Sequence, residues 1–416
     1  MVVQAKRVNP SNEKPKYKTL LVDGHNLFIR SSVSCQTQVT QDGFAYGTMW
    51  QFLLTLKILI KNSYDYDYIY VFFDGEHSGQ MRYDIYNAYK GNREDKNFIG
   101  KDLRDYKNTE YARQGDEAVR NMISFFVKKK GFNRHMSDKE NEHKQLEILK
   151  ELLNNLCIRV ISFPFVESDD LIAYYVNHKE SNEQIVIVSN DKDIAQLITE
   201  DVAVYSYEKK KYITTKNYKD FFDIHYSNIV VEKIICGDKS DNIKGIKGVA
   251  IKTLTDLMPQ MVTQKVTLNE IRDKARTVNE ERVKNNQKPL IKYTNLAEGI
   301  SDGEQGNKVY EINEKLVGLS LECMIPQEVK EEFDAWLHAP MEITNENPNN
   351  NYNIIQYFKL FCDSWGTPNQ FGAFFSTFHH IYNKEVKRYK DYVATSGDTN
   401  TIIQKANDVP FEDVPF

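Results

Sequence analysis

Five short apolar runs limit what this chain can fold into: TLLVDG (19–24), YIYVFFDG (68–75), IRVISF (158–163), QIVIVSNDKD (184–193) and VAVYSY (202–207). They are nearly continuous in apolar residues rather than alternating. Strands of that kind are covered on both faces, as in a parallel sheet between two layers of helices. The stretches between them, 45–62, 140–155, 169–178 and 193–199, read as helices. The expected fold class is therefore α/β, a parallel central sheet flanked by helices.

In such sheets ligands bind outside the carboxyl ends of the strands. Asp23, Asp74, Asp191 and Asp193 lie at those ends, and Glu167, Asp169 and Asp170 follow the third run, IRVISF, by a few residues. In FVESDDLIA (165–173) the acids have a second reading. They can dress the first turn of a helix, where the macrodipole is positive, with Ser168 as its cap. Convergence of acids from four strand ends favours a shared site. ICGDKSDNIKGIKGVAIKTL (235–254) adds Asp238 and Asp241, three apart and so expected on one face of a helical turn. Nine like charges in one pocket raise one another's pKa unless counter-charge is supplied. All-oxygen donors suit Mg²⁺ or Mn²⁺, and two such ions can activate water and stabilise the leaving oxygen of a phosphodiester. With those nine acids neutralised, the formal net charge of −5 becomes +4. A chain that turns basic on binding cations can hold nucleic acid.

Charge is also partitioned along the chain. Residues 80–134 hold 13 Lys/Arg against 8 Asp/Glu. Arg82, Lys90 and Arg93, in MRYDIYNAYKGNR, can stabilise charge developing on a phosphate. Arg82 and Lys90 share a face if the stretch is helical. Tyr86 and Tyr89 are placed to stack on an unpaired nucleotide. GIKGV (245–249) carries the two glycines, Gly245 and Gly248, of a turn whose backbone can approach a phosphate, with Lys244, Lys247 and Lys252 around it.

In order, VDGHNLFIR, FDG, MRYDIYNAYKGNR, VESDD, SNDKD and GDKSDNIKGIKGVAIK resemble the motifs of the 5′-nuclease (flap endonuclease) superfamily, and most resemble its T-even phage ribonuclease H group. The resemblance spans about residues 18–258. It implies a PIN-like nuclease fold with a helical arch (about 80–134), a helix-hairpin-helix element (about 238–254) and a C-terminal helical region (259–395), with 259–310 a possible insertion. It implies an Mg²⁺-dependent 5′-to-3′ exonuclease and flap endonuclease acting on DNA and RNA–DNA hybrids, removing RNA primers during phage replication. One metal cluster would map to Asp23, Asp74, Glu167 and Asp169, and a second to Asp170, Asp191, Asp193, Asp238 and Asp241. Lys90 would act at the base of the arch, Arg30 would contact substrate, and the GIKGV turn would grip duplex, with a monovalent cation. A single-strand endoribonuclease on the same core and a non-catalytic junction-binding scaffold are the alternatives. The first lacks a use for the duplex-binding turn, and the second for nine acids.

Residues 1–18 and 396–416 lack a hydrophobic pattern and are expected to be disordered. The chain ends DVPFEDVPF. This resembles the Pro-Phe-terminated acidic tails of bacterial single-stranded-DNA-binding proteins, so Phe411, Pro415 and Phe416 are candidates for docking a replication protein. Five cysteines without a C-x-x-C, no apolar leader and no long apolar run point to a reducing, cytoplasmic setting and no membrane.

Overall fold

The computed structural model describes residues 18–34, 39–40, 43–63, 66–91, 123–124, 127, 131, 138–302, 307–319, 324–337 and 371–395. Most of the expected arch, both terminal segments, Arg93 and the tail residues Phe411, Pro415 and Phe416 lie outside them.

All five apolar runs are strands: β1 (Thr19–Asp23), β2 (Tyr68–Phe72), β3 (Arg159–Ile161), β4 (Ile185–Val188) and β5 (Val202–Ser206). Their order is β3-β2-β1-β4-β5, all parallel. A sixth strand, β6 (Lys211–Ile213), pairs antiparallel with β5 at the edge. The sequence reading missed it because KYI is short and half polar, with no apolar run to mark it.

The near-continuous apolar runs arise because both faces are buried. Leu21, Tyr70, Phe72, Ile185 and Ile187 enter one core. Their neighbours Leu20, Val22, Ile69, Val71, Val186 and Val188 enter the other. That second core is filled by Leu27 and Phe28 of α1 (Gly24–Ser34), Met49 and Phe52 of α2 (Gly47–Ser63), and Leu149 and Leu152. The first core takes Leu171–Val176 and extends to Ile271, Ala275, Tyr293 and Leu296. The helical hairpin Leu268–Lys284 and Ile291–Glu298, within the expected insertion 259–310, therefore shares the sheet's own core. The last described helix, Phe371–Thr395, packs Phe378 and Ile381 into the second core, and its Glu385 meets Arg159 of β3 at 3.3 Å.

The Asp-Gly pair that ends the β2 run has a packing cause. A Cβ on Gly75 would sit 1.7 Å from the Phe163 carbonyl oxygen, and the Gly75 N–H donates to the Val166 carbonyl at 3.1 Å. Only a glycine lets the chain after Asp74 pass so close to the segment after β3. Gly75→Ala is expected to cost about 1–3 kcal/mol in urea unfolding, as overpacking does; an unchanged midpoint would show that the crossing is not tight.

Candidate active site

The carboxyl ends of β1, β2 and β4 open into a cleft of about 220 Å³. Seven of the nine expected acids line it: Asp23, Asp74, Glu167, Asp169, Asp191, Asp193 and Asp241.

Backbone N–H or hydroxyl groups hold three of them, Asp23, Asp74 and Asp191. Asp23, the last residue of β1, accepts from the Asn26 N–H at 3.0 Å and from Ser189 Oγ at 2.8 Å. Asp74 Oδ1 accepts the N–H of Ser168 at 2.8 Å. That N–H opens the helix Ser168–Asn177, whose cap position is Glu167 with no side-chain cap bond. The capping carboxylate thus comes from a different strand, and Ser168 is not the cap that local sequence suggested. Asp193 N–H donates to Asp191 Oδ1 at 2.9 Å, and Asp191 N–H to Ser189 Oγ at 3.0 Å.

The other two acids face elsewhere. Asp170 follows Asp169 on a helix, so it points about 100° away. Both its oxygens accept from Arg82, at 2.6 and 2.8 Å. Asp238 is not on a helical turn with Asp241. Gly237, at φ 74°, ends the helix Ile229–Cys236, and Asp238 closes a two-residue strand paired with Ile243. Its oxygens go to Lys233 and Ser240.

Arg82 was expected to face phosphate. Instead it is 3% exposed, and it donates to Glu167 Oε2 at 2.5 Å and to the Leu316 carbonyl at 3.0 Å besides Asp170. A guanidinium so committed neutralises the floor of the site rather than gripping substrate. Its helix, Gln80–Ile85, ends before Tyr86, which is extended, so Arg82 and Lys90 do not share a helical face. They converge all the same: Lys90 Nζ pairs with the other Glu167 oxygen, Oε1. Lys90 sits in a left-handed turn (φ 52°) fastened by its own N–H to the Asp241 carbonyl (2.8 Å) and by Asn242 Nδ2 to the Ala88 carbonyl (2.8 Å). Tyr89 is 2% exposed with its hydroxyl on Glu167, so it cannot stack on a base. Tyr86 packs partly against the core, while Tyr83, which sequence reasoning passed over, shows an exposed ring. Arg30 is exposed on α1, outside the cleft lining.

The GIKGV turn is braced from behind. A Cβ on Gly245 would strike the Cys236 backbone at 2.2 Å, so this glycine serves packing rather than phosphate approach; Gly248 takes a positive φ of 76°. Residues after the Ile291–Glu298 helix hold the turn: the Lys247 N–H donates to the Ile300 carbonyl, and Ser301 Oγ to the Gly245 carbonyl. Lys244, Lys247 and Lys252 are exposed around it.

Two further groups in the cleft were not singled out from sequence. His25, in VDGHN, has Nδ1 3.7 Å from Asp74 Oδ2. Lys233 pairs with Asp193 and Asp238. The only sequence signals were their places beside Asp23 and in the helix before Asp238.

The electrostatics are those of crowded acids. Burial pushes the Asp23 carboxyl up to about 7, with Asp74 and Asp191 adding to the rise. Asp169 is raised well above the carboxylate range by burial, then by Asp23, Asp191 and Asp74. Burial raises Asp193 to about 6 against the pull of Lys233. For Asp74, burial is outweighed by His25 and the Ser168 bonds, and its pKa is lowered. A buried, mutually repelling, all-oxygen set is chemically suited to a hard divalent cation. Among the described residues no three acid, His or Cys side chains stand in a ready-made metal cage.

Residues 18–223 match the family model of the 5′-3′ exonuclease N-terminal, resolvase-like domain. A 5′-3′ exonuclease of Buchnera aphidicola subsp. Schizaphis graminum is 25% identical over 259 residues, 62% of this chain and 75% of that protein. One from Mycoplasmopsis pulmonis is 28% identical over 244 residues, 58% of this chain and 66% of that one. The thermostable DNA polymerase I of Thermus thermophilus is 25% identical over 246 residues, 59% of this chain but only 24% of the polymerase. In fold, the chain is similar to the T5 5′-exonuclease with divalent zinc bound (TM-score 0.53, 19% identity, 76% of this chain and 97% of that one). It is likewise similar to a bacteriophage T5 flap endonuclease in complex with DNA and metal ions (TM-score 0.51, 18% identity, 76% and 96%).

The raised carboxyls fix a pH dependence. Folded Asp23 and Asp193 keep protons that the unfolded chain, at the ordinary 3.8, has released. Their contribution to stability is complete below that value and is lost as pH rises through about 6 to 7. Asp238, lowered to about 2, acts only at lower pH. In EDTA the melting temperature should fall between about pH 5 and about pH 7.5, and Mg²⁺ should restore it more at the higher pH; a flat profile would contradict the crowding.

Through residues 18–223, and with the acid-lined cleft at the carboxyl edge of its sheet, the chain belongs to the 5′-nuclease (5′-3′ exonuclease) superfamily and is a nuclease.

Proposed function

We propose that the protein is an Mg²⁺-dependent, structure-specific 5′ nuclease, acting as a 5′-to-3′ exonuclease and flap endonuclease on DNA and RNA–DNA hybrids and removing RNA primers and 5′ flaps in phage replication. The observation that carries this reading is the cleft itself: seven carboxylates on one sheet edge with Lys90 at its rim. Two bound divalent cations would polarise the scissile phosphate and acidify a water. Asp23, Asp74, Glu167, Asp169 and Asp191 are the residues to hold them. Asp170 and Arg82 keep Glu167 in place from below. Lys90, on its pinned turn, is placed to meet the phosphate's developing charge, with Arg93 following it in the chain.

The exposed Lys244, Lys247 and Lys252 offer a phosphate-backbone grip without base readout. Specificity then follows the shape of the substrate, and a T5 flap endonuclease of similar fold is known in complex with DNA. A monovalent cation at the GIKGV turn and a contact from Arg30 belong to the same reading. Among the described residues no helix is long and apolar enough to cross a membrane.

Cleavage of a labelled 5′-flap duplex tests the proposal. Wild type should cut near the junction in Mg²⁺ and bind without cutting in Ca²⁺. Asp169→Asn should bind while losing on the order of 100-fold or more in rate. Binding by both without cleavage in Mg²⁺ or Mn²⁺ would favour the scaffold reading.

The tail DVPFEDVPF is proposed as the dock for a replication protein, through Phe411, Pro415, Phe416 and the terminal carboxylate. Deleting 408–416 should leave flap cleavage intact and abolish capture of a single-stranded-DNA-binding protein; unchanged capture would refute it.

A further inference from the structure

Two adjoining turns beside the cleft carry an exposed aromatic pair. In Gly75–Ser78 the Ser78 N–H donates to the Gly75 carbonyl at 3.2 Å, and in Phe163–Val166 the Val166 N–H donates to the Phe163 carbonyl at 3.3 Å. His77 and Phe165 hold the third positions of these turns, and both are left-handed, at φ 55° and 65°. Glycine or asparagine is the usual residue at such a position, because a larger side chain crowds the backbone. The turns are laced together. The Phe165 N–H donates to the Glu76 carbonyl at 2.7 Å, and the Gly75 N–H to the Val166 carbonyl at 3.1 Å. The two rings stack, with centroids 5.8 Å apart and planes 23° from parallel. His77 is exposed and Phe165 is 47% exposed, so burial offsets little of the backbone strain. Phe163, two residues earlier, packs instead against the first core.

We propose that Phe165, backed by His77, is a stacking platform for an unpaired nucleobase, that of the first flap nucleotide beside the scissile phosphate. The inference rests on the 5′-nuclease reading above. The place of the platform follows from the chain. Asp74 directly precedes the first turn, Glu167 comes two residues after Phe165, and both acids line the cleft. Two residues span at most about 7 Å, so a strand with a phosphate over these acids brings a neighbouring base within reach. The chemistry fits a base rather than a phosphate. Glu76, exposed between Gly75 and His77, repels an anion, whereas an aromatic face accepts the face of any base. A base inside a duplex has both faces covered by its neighbours, so the platform favours an unpaired nucleotide. Rings fixed on two laced turns lose little freedom on binding.

The test uses the full chain in Ca²⁺ with a 5′-flap duplex whose first flap nucleotide is 2-aminopurine, a base that loses fluorescence on stacking. Wild type should quench it. Phe165→Asn should not, should bind the flap about tenfold more weakly, and should melt no lower than wild type, since asparagine tolerates the left-handed turn. Phe165→Tyr should keep both quenching and affinity. With the first flap nucleotide made abasic, wild type and Phe165→Asn should bind alike. Unchanged quenching or affinity in Phe165→Asn, the same tenfold gap on the abasic flap, or a lower melting temperature accompanying the loss would each overturn the inference. So would wild type that binds the flap without quenching, a result that needs no variant to fold. Wild type that binds no flap duplex at all would instead sink the 5′-nuclease reading, and this inference with it.

Discussion

Negative charge gathered at one edge of a parallel sheet must be compensated before such a fold can close. In this protein much of the compensation is internal and directional. Arg82 lies beneath the cleft with its donors on Glu167, Asp170 and the Leu316 carbonyl. Lys90 takes the other Glu167 oxygen, Lys233 spans Asp193 and Asp238, and His25 stands beside Asp74. Burial, with repulsion from neighbouring acids, raises the pKa values of Asp23 and Asp169. Arg82 is the member whose loss would be felt most. Removing one partner of a buried pair leaves an uncompensated charge, which costs on the order of 3–5 kcal/mol.

The same economy of groups joins distant segments. Asp74 caps the helix that carries Asp169 and Asp170, so one strand end sets the orientation of two other acids. The turn bearing Lys90 is fastened to Asp241 and Asn242, about 150 residues away, which sets the position of that turn relative to the one that precedes GIKGV. The hairpin at 268–298 in turn shares the core and supports the GIKGV backbone. A candidate duplex grip and a candidate catalytic cleft are thus parts of one packed unit.

Much of this was legible in the residues. The apolar runs marked β1 to β5 because strands buried on both faces have no polar alternation to disguise them. The acids at their ends marked the cleft because a parallel sheet brings its carboxyl ends to one edge. What escaped had weak local signal. β6 is three residues of half-polar edge strand. Lys233 and His25 look like ordinary surface polar residues in the sequence, and only the fold turns them toward acids.

The sequence by itself determined five parallel strands, their alternation with helices and which edge would carry acid, because these depend on periodicity and on residues adjacent in the chain. The tertiary structure decided which acids face the cleft. Asp169 and Asp170 are neighbours of identical chemistry, yet one lines the cleft and the other is bound to Arg82. Past the helix end at Gly237, Asp238 enters a short strand and binds Lys233 and Ser240 while Asp241 lines the cleft, and Tyr89 is buried against Glu167. These outcomes turn on where a guanidinium, an ammonium or a backbone N–H from a remote segment arrives. Charge pairing in a buried site is set by three-dimensional distance, which spacing along the chain does not encode.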